Sequence, residues 1–205
     1  MNLLQRNDRD AFFKGILRIE DRGSEGLELH RTTVRQLAHL DRLNPVFGVR
    51  GRCLSGIQLA LRTDATQLEL ALTLYPGARR SFALAVTVDG VTHHPFCEAD
   101  QPEGPIEVMV RLADANAPRR PREVRLLFPP SRPAWLRRAV LVGATTAEPL
   151  PAKPRRLLCL GDSITQGMEA LSPLAPYPTA LAEAWNAELL NQGIGGHIFD
   201  AAYID

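Results

Sequence analysis

Residues 157–167 read Leu157-Leu158-Cys159-Leu160-Gly161-Asp162-Ser163-Ile164-Thr165-Gln166-Gly167, an apolar run that ends in a small polar turn bounded by glycines, with one serine at its tip. Four consecutive apolar residues, Leu157 to Leu160, suit a strand buried on both faces of a parallel sheet. In open α/β sheets, ligands collect beyond the carboxyl ends of such strands. Ser163 is therefore expected at a sheet rim. A serine hydroxyl is a weak nucleophile at neutral pH, and it attacks a carbonyl when a base within hydrogen-bond reach takes its proton and a third group orients that base. After Ser163 the single histidine is His197, and no Asp-x-x-His occurs.

Around this turn the hydrophobic period predicts a strand over 156–160, a helix over Pro178 to Ala187 with proline in its first turn, a second strand over Glu188 to Asn191 and a second helix from Ile198 onward. Strand, helix, strand, helix opens a parallel α/β sheet. About 50 residues hold it, where an α/β domain takes about 100–200, so the expectation is the incomplete start of a parallel α/β sheet, in a chain that ends early.

Upstream, Glu148-Pro149-Leu150-Pro151-Ala152-Lys153-Pro154-Arg155 reads as a stiff linker, because proline fixes φ and pushes its predecessor to extended geometry. Before it, short runs with a period near two are separated by Gly, Pro, Asp and Asn, which predicts an all-β region. Gln67 to Leu74 alternates cleanly, and Asp89-Gly90 between Ser81–Val88 and Val91 marks a hairpin. Further strands are expected at Phe13–Ile19, Val46–Val49, Ile57–Leu61, Ile106–Leu112, Val124–Phe128 and Ala139–Val142, while Thr33–Leu43, where Val34, Leu37, Leu40 and Leu43 recur every three residues as in a helical turn, stays unresolved. The fold expectation is α+β with two domains: a jelly-roll sandwich over 1–148, a linker over 149–155, and an α/β start over 156–205.

Composition narrows the function classes. The 205 residues carry 24 basic and 23 acidic groups for a net charge of +1, so no overall field recruits nucleic acid. The N-terminus turns polar after Leu3-Leu4, leaving no stretch long enough for a secretory signal or a membrane span, and a cytoplasmic location is the expectation. Cys53, Cys97 and Cys159 are too few and too scattered for a disulfide framework or a zinc site. The adjacent His93-His94 point to opposite faces of a strand and do not share an ion. No metal or cofactor is expected.

Gly161-Asp162-Ser163-Ile164-Thr165-Gln166-Gly167 resembles the first block of the SGNH/GDSL-type esterases and lipases, and Asn191-Gln192-Gly193-Ile194-Gly195-Gly196 resembles their second. The resemblance implies a flavodoxin-like sheet, Ser163 as nucleophile and an oxyanion hole built from the N–H groups of Ser163 and Gly196, with Gly161, Asp162 and Gly193 supporting the turns. The family's third block, with an oxyanion asparagine, and its fifth, Asp-x-x-His, are not matched; His197 and Asp200 stand in the opposite order. The β-rich part resembles the jelly roll that precedes the catalytic domain in some two-domain members, including carbohydrate esterases and acyltransferases. A serine ester hydrolase acting on a small acyl ester or an acylated carbohydrate follows, inactive or weak as this chain alone. The alternatives are an acyltransferase, or a carbohydrate- or partner-binding β-module with a vestigial hydrolase remnant. An unpaired sheet edge favours oligomerisation.

Overall fold

Alternating leucines over 67–74 make a strand that hides one face, and in the computed structural model Leu68, Leu70, Leu72 and Leu74 are buried while Gln67, Glu69 and Thr73 are half-buried. The structure describes residues 1–114, 117–199 and 201–204, apart from the side chains of 94 and 95. In chain order come β1 (Phe13–Lys14), β2 (Arg18–Asp21), β3 (Leu27–His30), α1 (Val34–Leu43), α2 (Pro45–Arg52), β4 (Gln58–Thr63), β5 (Gln67–Leu74), β6 (Phe82–Val88), β7 (Val91–Glu98), β8 (Gly104–Arg111), β9 (Arg122–Leu127), β10 (Ala134–Val142) and β11 (Ala147–Pro149). They are followed by β12 (Arg155–Gly161), α3 (Ser163–Gln166), α4 (Tyr177–Ala184), β13 (Ala187–Gly193) and α5 (Ala201–Ile204).

The chain is α+β, mostly antiparallel strands with few helices. One sheet has the order β1-β4-β9-β6-β7 with β11 added to β4, and the other has the order β2-β3-β10-β5-β8. A single apolar core takes Leu59, Leu84 and Leu126 from the first sheet and Leu70, Val110 and Leu141 from the second. Asp89 and Gly90 turn β6 into β7 with φ of 49° and 81°, both positive as a type I′ hairpin requires. Pro149 sits on the edge strand β11, where its missing N–H costs no ladder bond.

The structure corrects several expectations and resolves the stretch left open. Val46–Val49 is helix α2, not a strand: the Asn44 side chain accepts the Val46 N–H at 2.9 Å and Pro45 takes the first helical position. The open stretch before it is helix α1, started by a capping box between Thr33 and Gln36. The strand at 157–160 is buried on one face. Cys159, Ala182 and Leu189 cluster under α4, whereas Leu158 and Leu160 on the opposite face are 55% and 41% exposed. Among the described residues β12 has one strand neighbour, β13, and no helix covers its second face. The last two helices are also shorter than their periodicity predicts. α4 runs Tyr177–Ala184, followed by Asn186 at a left-handed φ of 47°, and α5 starts at Ala201 rather than Ile198.

Candidate active site

β12 and β13 run parallel with Gly161 opposite Gly193, so the turns that follow them leave the sheet side by side. In the first turn the Asp162 carboxylate accepts the Ile164 N–H at 3.0 Å and caps α3, whose single turn ends at left-handed Gly167. Ser163 is the first residue of α3 and is half-buried. The second turn is closed by the His197 N–H donating to the Ile194 carbonyl at 3.0 Å, with Gly196 third in the turn at φ 70°. Positive φ at that position is what a type II turn demands and glycine supplies. A Cβ on Gly193 would lie 2.3 Å from the Gln166 backbone nitrogen, so a glycine there lets α3 sit directly on the strand end.

Most amides of the two turns are used internally. Gly193 donates to Asn191 Oδ1 at 2.9 Å, Gly195 to Gln166 Oε1 at 2.9 Å, and Ile194 to the Gly161 carbonyl at 2.8 Å. Others are not. The N–H groups of Asp162, Ser163 and Thr165 in the first turn and of Gly196 in the second donate to no acceptor among the described residues, and Gly196 is exposed.

Sequence reasoning missed the side chains that hold these turns. Gln166 has no solvent exposure; its side-chain amide donates to the Pro130 carbonyl at 3.2 Å while accepting from Gly195, and its backbone carbonyl accepts the Ser55 hydroxyl at 2.5 Å. Arg31, also without exposure, donates to the carbonyls of Cys53, Asn191, Gly193 and Arg50 at 2.7–2.9 Å. Burial pulls its guanidinium down from the ordinary arginine range, yet arginine does not lose its proton in proteins, and four carbonyl dipoles surround the charge. Arg50 donates to the Gly195 carbonyl at 2.6 Å, and Gln36 exchanges hydrogen bonds with Gln192. The polar Thr33-x-x-Gln36 spacing is readable as a helix start. Nothing in a lone Arg31 within Leu-His-Arg-Thr-Thr announces a partner 160 residues away.

His197 is 4% exposed, its ring packed against Phe47, Phe199 and Tyr203 at centroid distances of 5.5, 5.1 and 5.2 Å. Asp200 lies outside the described residues. No side chain among the described residues hydrogen-bonds Ser163 Oγ. Beside the serine runs a mostly apolar groove of about 410 Å³, lined by Ile164, Met168, Ala175, Pro176 and Tyr177, with Glu169 at its margin paired to Arg79. The Tyr177 hydroxyl shares a hydrogen bond of 2.9 Å with Thr165 Oγ1.

Cys53, Cys97 and Cys159 are all free thiols, and burial pushes the Cys53 thiol up to about 11. Glu20, Glu28 and His30 bring ligand-type atoms within 4.8 Å of one another, but arginines already occupy the cluster. Arg18 and Arg22 pair with Glu20, Arg22 also pairs with Glu28, and Arg18 donates to His30 Nδ1 at 3.1 Å. Trp135, on β10, packs against Tyr75 with ring centroids 4.6 Å apart and planes tilted by 47°, and Arg22 lies over its ring. No helix among the described residues is long and apolar enough to cross a membrane.

No family model matches the sequence, and comparison with curated proteins gives no match. Solved structures do match. A salicylyl-acyltransferase, SsfX3, from a tetracycline biosynthetic pathway superposes with a TM-score of 0.70 at 24% identity, over 89% of this chain and 52% of that one. A protein described as a GDSL-like lipase from Bacteroides ovatus gives 0.60 at 18%, over 90% and 57%. A family two carbohydrate esterase from Clostridium thermocellum, in complex with cellohexaose, gives 0.59 at 14%, over 89% and 50%. The chain thus spans about half the length of the solved structures it matches. Those structures belong to the SGNH/GDSL hydrolase superfamily, and over that length theirs is the fold of this chain.

Proposed function

We propose that this chain carries the nucleophile and part of the oxyanion hole of an SGNH-type ester-acting enzyme, on a jelly-roll sandwich of residues 1–148, a linker at 149–155 and the start of a parallel α/β sheet at 156–205. Ser163 Oγ attacks the acyl carbonyl of an ester, an Oγ–C bond forms, the alcohol leaves with a proton, and water or a second alcohol then takes the acyl group. Hydrolysis and acyl transfer share this acyl-enzyme and differ in the second acceptor. The observation that carries the reading is that the Ser163 and Gly196 amides, one in each of the two adjacent turns, have no acceptor among the described residues, while Ile164, Gly193, Ile194 and Gly195 beside them do. Donors of that kind, fixed before the reaction, stabilise a tetrahedral oxyanion without reorganising.

The substrate class is a small acyl ester. The apolar groove beside Ser163 supports an acyl group lying along it, and the fold shared with a salicylyl-acyltransferase and a carbohydrate esterase supports an ester of an alcohol or a sugar.

Residues 1–205 alone are expected to be nearly inactive. Losing one oxyanion donor costs about 10²–10³ in turnover, and losing the base of a comparable serine triad about 10⁶. The test is incubation with p-nitrophenyl acetate alongside intact-mass detection of an adduct from a fluorophosphonate. Slow, stoichiometric labelling at Ser163 with negligible turnover is expected. Labelling elsewhere overturns the nucleophile assignment, and robust turnover abolished by Ser163→Ala overturns the expected inactivity.

A further inference from the structure

The Gly195 carbonyl and the Gly196 N–H belong to one peptide group, and in a planar trans peptide they point in opposite directions. Arg50 Nη1 donates to that carbonyl at 2.6 Å from α2, a helix of the sandwich half of the chain. We infer that Arg50 is a positioning residue for the oxyanion hole: by holding the Gly195 carbonyl inward it holds the Gly196 N–H outward, where an acyl oxygen would sit. The inference rests on the reading of Ser163 as nucleophile.

The peptide needs such a hold. Glycine on both sides removes the Cβ clashes that would otherwise fix its orientation, and among the described residues Arg50 is the one donor to the Gly195 carbonyl. Flipped by half a turn, the same peptide would aim its N–H at a guanidinium and place a carbonyl oxygen against the developing oxyanion. The fit is close: a Cβ on Gly196 would stand 3.0 Å from Arg50 Nη1, and one on Gly195 would stand 3.4 Å from Arg50 Cδ. Arg50 is itself tied down, since its backbone carbonyl accepts Arg31 Nη2 at 2.8 Å while Arg31 Nη1 donates to the Asn191 and Gly193 carbonyls. The chain of contacts runs from α2 through Arg31 to the end of β13, and from α2 through Arg50 to the turn beyond it.

Arg50→Met keeps the apolar stem and removes the donor; Arg50→Lys keeps a charge and a donor on a flexible stem. Two readouts are combined. By NMR, the parent turn should give a strong contact between the Gly195 Hα and the Gly196 amide proton, replaced in Arg50→Met by an amide-to-amide contact between Gly195 and Gly196. By mass spectrometry, a fluorophosphonate should modify Ser163: the Oγ–P bond forms, the P–F bond breaks, fluoride leaves and the hydroxyl proton passes to buffer. Arg50→Met should slow this by about 10- to 100-fold, up to the range seen on losing one oxyanion donor, with a melting temperature near the parent's, and Arg50→Lys should recover part of the rate. An unchanged turn in Arg50→Met, or a flipped turn with an unchanged labelling rate, overturns the inference. A parent protein that takes no phosphonyl group at Ser163 refutes the nucleophile reading instead, and the turn geometry of Arg50→Met still decides whether Arg50 holds the peptide.

Discussion

Arg31 Nη1 donates to the carbonyl of Gly193 at 2.9 Å, joining the residue after β3 to the last residue of β13 across 162 positions of sequence. With three further carbonyls on the same guanidinium, this contact makes the end of β13 an extension of the sandwich. Replacing Arg31 by leucine would leave buried carbonyls unpaired at the point where both glycine turns are anchored. Hydrogen bonds to a charged donor contribute about 1.5–3 kcal/mol, and stranding their partners adds to the loss, so Arg31→Leu should lower unfolding stability by about 3–5 kcal/mol. Urea denaturation decides it, and a loss below about 1 kcal/mol would show that the carbonyls find other donors.

Ser163 is predicted to be chemically essential and structurally dispensable. Its hydroxyl is half-buried and makes no hydrogen bond among the described residues, while the start of α3 is capped by Asp162 instead. Ser163→Ala should abolish fluorophosphonate labelling and leave stability within about 0.5 kcal/mol of the parent. Asp162→Ala should do the reverse in part, costing about 1 kcal/mol through the lost cap. If Ser163→Ala proved as destabilising as Asp162→Ala, the serine would be a structural residue of the turn.

Legibility in the sequence tracked how local the determining physics is. The leucine alternation over 67–74 and the Asp89-Gly90 hairpin are set by neighbours within a few residues, and each could be read directly. Val46–Val49 was misread because β-prone side chains were weighed above the Asn44-Pro45 start signal beside them. The exposure of Leu158 and Leu160 was hidden because an apolar run reports what a strand can bury, not which layers cover it. Arg31, Arg50, Ser55 and Gln166 were illegible for a different reason: each acts on backbone carbonyls or amides, which leave no complementary residue type in the sequence to be matched.

The buried cluster around His30 predicts a pH response. Burial pulls the His30 imidazole down from 6.5 to about 4, opposed by the nearby Glu28 carboxylate, and Arg18 donates to Nδ1, which requires the neutral ring. A folded-state pKa below the unfolded value means that the unfolded chain binds the proton more readily. Stability is therefore fully present above about pH 6.5 and is lost as pH falls toward 4. At 1.36 kcal/mol per unit the loss is on the order of 3 kcal/mol. Arg18, Arg22, Glu20 and Glu28 face the same ring, so the His30 share is isolated by comparing the parent with His30→Gln in urea melts from pH 7 to pH 4. The variant should show the flatter profile, and parallel profiles would mean that His30 is already charged or is solvated in the folded protein.

The open side of β12 predicts self-association of residues 1–205. Leu158 and Leu160 project from the face opposite α4, more than two-fifths exposed in each case, on a strand paired along one edge. Adjoining them is a cavity of about 620 Å³ whose lining includes Ile16, Leu17, Leu157 and Leu190, which enlarges the apolar surface available to a second copy. An unpaired strand edge beside exposed leucines is a template for pairing between chains. Sedimentation velocity should show a concentration-dependent shift toward larger species for the parent. Leu158→Lys with Leu160→Glu, which places charge on that face without touching the buried Cys159–Leu189 contact side, should return the protein to monomer. An association that survives the double substitution would have to arise elsewhere, and a parent that stays monomeric at high concentration would mean that the twist of this two-stranded pair is enough to keep its edge from pairing.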